Sequence, residues 1–241
     1  MKITALIPAR LESQRFPGKL LKDLGGKPVI VRTWHNAVRS GAFDRVIVVT
    51  PNDEIARAVR RAGGEVYISR RPHPSGTDRI AEAARESDAD IIVNIQGDEP
   101  FLDAADMRRI RDVFERDTEG RIDILSFCRA IEDIRDYTDP SVVKVVTDKD
   151  GFALYFSRAP IPFARDGRWR DGCRHIGIYA FRREVLMQVA QLPPVAIEEV
   201  EKLENLRFLV HGYHVKMLPT TFDYAGIDTP ADLEKARKKW K

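Results

Sequence analysis

The 241 residues read as an α/β chain with a mostly parallel central sheet and an appended antiparallel lobe. Two observations predict this. Short β-branched runs alternate with amphipathic helical stretches through the first half, and after residue 120 such runs follow one another with less helix between them. Strands separated by helices imply βαβ crossovers and a sheet covered on both faces, whereas strands joined by turns pair antiparallel.

In chain order, Ile3–Pro8 is the first strand. Pro28–Ser40 is the first helix, opened by proline in its first turn and stopped before Gly41. Strand Arg45–Thr50, helix Asp53–Ala62, strand Glu65–Ser69, helix Thr77–Glu86, strand Ile91–Ile95 and helix Ala104–Arg116 continue the alternation. The antiparallel strands are Asp123–Arg129, Val142–Asp148, Phe152–Ser157 and His175–Phe181, with Lys149-Asp-Gly151 as a turn between two of them. Ala159-Pro-Ile-Pro162 and the polar stretch Arg165–Asp171 form a loop. Helix Ile197–Val210, strand Tyr213–Leu218 and helix Pro230–Lys239 complete the pattern. We expect one domain over residues 1–241, with the lobe within about 122–181.

Hydrophobic residues at 43% and charged residues at 32% are ordinary for a globular chain and argue against disorder. A net charge of +3, evenly spread, gives no footprint for a nucleic-acid partner, although a local basic cluster still suits a polyanionic small molecule. No apolar run approaches the ~20 residues that cross a bilayer, and no charged segment with a long apolar run opens the chain. We therefore expect no membrane insertion, no secretory leader and a cytoplasmic location. Cys128 and Cys173 lie in no CxxC pattern, and Cys173 with His175 lacks partners for a zinc site, so both read as reduced thiols.

The sharpest chemical feature is Ile7-Pro-Ala-Arg10 followed by Arg15-Phe-Pro-Gly-Lys19, directly after the first strand. Ligands of open α/β sheets bind at the carboxyl ends of strands. Arg10, Arg15 and Lys19 on a tightly turned segment suit a triphosphate, because charge-assisted bonds to phosphate are strong. It is not a Walker A loop, since Gly25-Gly-Lys27 lacks the upstream Gly and the following Ser or Thr. A solvated basic loop is the plainer alternative. The second feature is Gln96-Gly-Asp98-Glu-Pro100 at the end of an apolar strand, where a carboxylate can hold Mg²⁺ against a triphosphate or merely cap a helix. In the third, Gly226-Ile-Asp228-Thr-Pro230, Thr229 is placed to cap the last helix, which leaves Asp228 free to point elsewhere.

These pieces, together with Gly25-Gly-Lys-Pro-Val-Ile30, Ser75-Gly-Thr-Asp-Arg79, Ala153-Leu-Tyr-Phe-Ser-Arg158 and His175-Ile-Gly-Ile-Tyr179 in one order, resemble the 3-deoxy-manno-octulosonate cytidylyltransferase (CMP-Kdo synthetase) family along essentially the whole chain. The resemblance implies a Rossmann-like nucleotidyltransferase fold. It also implies a Mg²⁺-dependent transfer of CMP from CTP to the anomeric hydroxyl of the 3-deoxy sugar acid Kdo, for lipopolysaccharide, and a homodimer built through the antiparallel lobe. By position it implies that Arg10, Arg15 and Lys19 hold the triphosphate and that Asp98 and Asp228 hold the metal. Arg10, Lys19, Asp98 and Asp228 are then the catalytic set. Ser75, Gly76, Thr77 and Arg79 lie near the cytosine, and Gln96 faces the nucleotide sugar. Arg158, His175, Tyr179, Glu201 and Glu204 contact the sugar acid. An oppositely minded reading makes His175 and Tyr179 core residues on one strand face, and Glu201 and Glu204 a solvated helix face. Asn205 stands where the family pattern leads us to expect Gln, which opens the 8-amino-8-deoxy form of Kdo as an alternative acceptor. An acylneuraminate-activating enzyme, a sugar-1-phosphate nucleotidyltransferase and a nucleotide-sugar-binding protein without transfer are further alternatives, since fold alone does not fix function.

Overall fold

A strand buried on every residue needs cover on both faces, and Ile3–Pro8 (β1) is such a strand. The computed structural model describes residues 1–13, 15–167 and 172–240. Gln14, and the part of the predicted polar loop at 168–171, lie outside the described residues. Contacts divide the chain into two compact units, Met1–Glu115 together with the chain from Asp223, and Arg116–Phe222.

In the first unit, β1 is flanked in parallel by Arg45–Thr50 (β4) on one side and Ile91–Asn94 (β6) on the other, and β4 pairs in parallel with Glu65–Ile68 (β5). These strands run parallel, as the βαβ alternation predicts, and lie in the order β6-β1-β4-β5. The crossovers are Val29–Arg39 (α1), Asp53–Arg61 (α2) and Gly76–Ala84 (α3), followed by Ala104–Arg116 (α4) and, later, Pro230–Lys239 (α9). Each presents its apolar stripe inward: Val29, Ile30 and Ala37 of α1 and Ile80 and Ala84 of α3 are fully buried. Two further pieces were not legible in the sequence pattern. They are a hairpin of two two-residue strands, Asp23–Leu24 (β2) with Lys27–Pro28 (β3), and a single 3₁₀ turn at Lys19–Leu21, both too short to show a period.

The second unit carries Ile124–Ala130 (β7), paired in parallel with Val215–Pro219 (β11) and antiparallel with Cys173–Arg182 (β10). Lys144–Thr147 (β8) pairs antiparallel with β10 and with Ala153–Ser157 (β9), and the chain turns between β8 and β9 at 148–151, as predicted. Short helices Ile134–Thr138 (α5) and Arg183–Val189 (α6) escape sequence reading because neither reaches three turns and no glycine or proline separates α6 from β10.

One helix is corrected. Ile197–Val210 is two helices, Ala196–Glu201 (α7) and Asn205–Val210 (α8), because Lys202 adopts a left-handed conformation at φ 54. The break is held from outside: Arg158 Nε donates to the Glu201 carbonyl at 2.8 Å, and buried Leu203 turns inward. Cys128 is buried, Cys173 is half-buried and both are free thiols, as expected.

Candidate active site

The carboxyl end of β1 delivers the chain into the Arg10–Lys19 loop. Its path is fixed at three points: Ala9 N donates to Val49 O at 2.9 Å, Leu11 N to the Asn52 side chain at 3.0 Å, and Gly18 N back to Leu11 O at 3.0 Å. Gly18 sits at φ 67, a left-handed turn that a residue with a Cβ adopts only at a cost, and it directs Lys19 inward. The Lys19 side chain is 11% exposed, whereas Arg10 and Arg15 are exposed at the mouth.

The carboxyl end of β6 supplies the opposite wall. A Cβ on Gly97 would stand 2.9 Å from the Pro8 carbonyl oxygen, so only glycine lets this strand end approach β1 closely. Thr33 Oγ1 donates to the Gly97 carbonyl at 2.9 Å and fixes the turn that presents Asp98. Asp228 arrives from far along the chain. Ile227 N donates to the Asp98 carbonyl at 2.9 Å, and Thr229 caps α9 in a capping box with Asp232, with Pro230 in the first turn as predicted. Asp228 is therefore turned away from the cap and toward Lys19. Lys19 Nζ donates to Asp98 Oδ2 and, at 2.9 Å, to Asp228 Oδ1, and Arg15 Nη2 lies 3.0 Å from the same Asp228 oxygen.

Around this cluster opens a cleft of about 530 Å³, a size typical of small-ligand sites. Arg10, Arg15, Lys19, Gln96, Asp98 and Asp228 line it, and Ser75, Gly76 and Arg79 border it from the N-terminal turn of α3. Thr77 is buried in that helix and is not among the lining residues. Ser75 caps α3 in a capping box with Asp78, which fixes the start of this helix at the border of the cleft.

The electrostatics favour an anion. Burial lowers the Lys19 pKa, but Asp98 and Asp228 together outweigh it and the net shift is upward, so the ammonium keeps its charge. Arg79 is 5% exposed and its Nη1 is buried without a hydrogen-bond partner. Burial, and then the charge of Arg10, lower its pKa. A buried guanidinium nitrogen without a hydrogen-bond partner is costly, and an anionic or carbonyl oxygen in the cleft would relieve it. Among the described residues no cluster of three or more His, Cys, Asp or Glu could hold a metal. The two carboxylates on one ammonium do fit Mg²⁺, a hard cation usually bound by one or two carboxylates with phosphate oxygens completing its shell.

In the second unit the five residues expected on the sugar side already have protein neighbours. His175 and Tyr179 do share a face, with ring centroids 5.2 Å apart, although a bulge between Ile176 and Tyr179 shifts the register. His175 Nε2 lies 3.0 Å from Ser126 Oγ, and burial pushes its imidazole pKa down to about 3, so it is neutral. Burial, with Glu204 close by, pushes the Tyr179 phenol up. Arg158 donates to backbone carbonyls of Glu201, Pro140 and Lys202. Burial raises the Glu201 pKa, but hydrogen bonds, first from Ser157 Oγ at 2.6 Å and then from Arg158 N at 3.0 Å, bring the net shift downward. Asn205 is buried, with Oδ1 lacking a partner while its amide bonds the Tyr179 hydroxyl.

Several further contributors carry no signal in the sequence. Glu12 and Ser13 line the cleft within the very loop singled out for its cations. Glu82 ties down the loop before Ser75, accepting from Arg70 N at 2.9 Å and meeting His73 Nε2 at 2.5 Å. Lys144 is fully buried and donates to three carbonyls, Asp139, Val142 and Arg158. A lone lysine in a strand carries no sequence signal for such a role.

Known proteins resemble this chain along nearly its whole length. The family model for cytidylyltransferases matches residues 4–217. A 3-deoxy-manno-octulosonate cytidylyltransferase of Christiangramia forsetii is 49% identical, covering 98% of this chain and 96% of that protein. One of Flavobacterium johnsoniae is 48% identical, with 98% of each covered. Among solved structures, CMP:2-keto-3-deoxy-manno-octonic acid synthetase complexed with CTP superposes with a TM-score of 0.93 at 38% identity, over 99% of this chain and 98% of that one. A cytidylyltransferase from Leptospira borgpetersenii, at 20% identity and a TM-score of 0.67, shares the fold.

Proposed function

This chain belongs to the 3-deoxy-manno-octulosonate cytidylyltransferase family, and we propose that it transfers CMP from CTP to the anomeric 2-hydroxyl of Kdo and releases pyrophosphate. The observation that carries this reading is the meeting of Lys19, Asp98 and Asp228, from three distant points of the chain, in a cleft rimmed by Arg10, Arg15 and Arg79. In the transfer the hydroxyl oxygen bonds to the α-phosphorus, the bond from that phosphorus to the β-phosphate bridge breaks, and the hydroxyl proton passes to solvent. Such a reaction asks a protein chiefly for positioning and charge neutralisation.

In our reading Arg10, Arg15 and Lys19 grip the triphosphate, and the Ser75–Arg79 turn with Gln96 receives the nucleoside. Asp98 and Asp228 would hold Mg²⁺, which when bound neutralises phosphate charge and makes the hydroxyl more acidic. Arg158, His175, Tyr179, Glu201 and Glu204 would receive the sugar acid; Arg158 must then exchange a carbonyl partner for the sugar carboxylate. The product would serve lipopolysaccharide synthesis in the cytoplasm.

The test is pyrophosphate release from CTP with Mg²⁺, measured with Kdo, with 8-amino-8-deoxy-Kdo and with other sugar acids. We expect release with CTP and Kdo and little with the other nucleoside triphosphates. No release with either Kdo form would overturn the assignment. The 8-amino form is a second acceptor reading, favoured by the buried, unpartnered Asn205 Oδ1, which an ammonium donor would satisfy.

A further inference from the structure

Lys19 stands where a metal ion held by Asp98 and Asp228 would stand. Its ammonium donates to one oxygen of each carboxylate, and Arg15 crowds the same Asp228 oxygen at 3.0 Å. Two carboxylates are thus already matched by two cations. A divalent ion entering that seat alone would leave an excess of about two positive charges, in a cleft that also holds Arg10 and Arg79. A triphosphate reverses the balance, since it brings about four negative charges toward the same side chains. Lysine suits the exchange: its charge rides on a flexible four-carbon stem, and here the stem is anchored at its base by the Gly18 turn.

We infer that Lys19 is a place-holder in the metal seat, closing it to free divalent cations until a nucleoside triphosphate draws the ammonium onto its phosphates. The inference rests on the proposed metal role of Asp98 and Asp228 and adds that metal and nucleotide bind as a coupled pair. Linkage makes the coupling reciprocal: the factor by which the triphosphate tightens metal binding is the factor by which metal tightens the triphosphate. Once pyrophosphate leaves, Lys19 returns to the carboxylates and the seat closes.

The probe is Mn²⁺, read from the electron paramagnetic resonance signal of the free ion in titrations of the whole protein. Without nucleotide the wild type should bind Mn²⁺ weakly, and Lys19→Met should bind it at least about tenfold more tightly, because a neighbouring positive charge is gone. A non-hydrolysable CTP analogue should tighten Mn²⁺ binding to the wild type by a comparable factor and to Lys19→Met by much less. Lys19→Gln, with circular dichroism as a folding control, guards against a defect peculiar to one replacement. If neither Lys19 variant gains affinity while the wild type still binds Mn²⁺ with the analogue, the place-holder idea fails and the metal assignment stands. If the gain survives in Lys19→Met combined with Asp98→Asn, the cation sits elsewhere, and both the place-holder and the metal pair are overturned.

Discussion

Asp98 owes its position to three neighbours, and none of them depends on its charge. Gly97 allows the close approach to Pro8, Thr33 fixes the Gly97 carbonyl, and Ile227 N is bonded to the Asp98 backbone oxygen. Asp98→Asn should therefore fold normally, with a melting temperature close to that of the wild type. CMP transfer should fall by at least about 10²-fold, the usual scale for losing one electrostatic contributor. Thermal melts with pyrophosphate release decide it, and a fully active variant would remove Asp98 from the proposed metal pair. At this scale much of the cleft was legible: cations and carboxylates that follow buried strands have nowhere to go but the strand ends. What stayed hidden was occupancy. Nothing in the spacing of Arg158 tells that its guanidinium lies on three carbonyls, or that Arg79 is buried with Nη1 unpaired.

Helix α9 shows how an element aims a residue that it does not contain. Thr229 Oγ1 accepts from Asp232 N at 3.2 Å, and the Asp232 carboxylate accepts from Thr229 N at 2.9 Å, so the residue before the cap is fixed in direction. Thr229→Ala should cost roughly 0.5–2 kcal/mol in chemical denaturation, and Thr229→Ser should restore most of it. The pH dependence follows from Asp232. Burial raises its pKa, but the bonds from Thr229 outweigh this and the folded value lies below 3.8. A depressed carboxylate contributes stability above its unfolded pKa and loses it as pH falls through the folded value. The gap between wild type and Asp232→Asn should thus be full at neutral pH and close in acid below 3.8. A gap unchanged into strong acid would deny the cap this role. Helices such as Pro230–Lys239 and Ala104–Arg116 could be read because their signals are local: a cap, a period, a stop. The α7–α8 break could not, since its cause, Arg158, is some forty residues upstream.

Across the whole chain, a net charge of +3 and the lack, among the described residues, of a helix long and apolar enough to cross a membrane leave the exposed apolar side chains of the second unit as the feature to account for. Strand β9 is hydrogen-bonded as a strand to β8 alone among the described residues, with Phe152 just before it bridged to Lys216 of β11. Leu154 on that strand is 62% exposed, Val200 on α7 is 83% exposed and Phe163 is 84% exposed. Single exposed apolar side chains are ordinary, but several large ones on one unit give a partner something to cover. We propose that a second copy covers it, giving a homodimer through the unit Arg116–Phe222. Light scattering coupled to size exclusion should return twice the chain mass. Leu154→Glu with Val200→Glu should return the single-chain mass while leaving circular dichroism unchanged, because neither side chain contributes to the buried core. A wild type of single-chain mass at micromolar concentration would sink the dimer. A double variant that stays dimeric would move the interface off this surface.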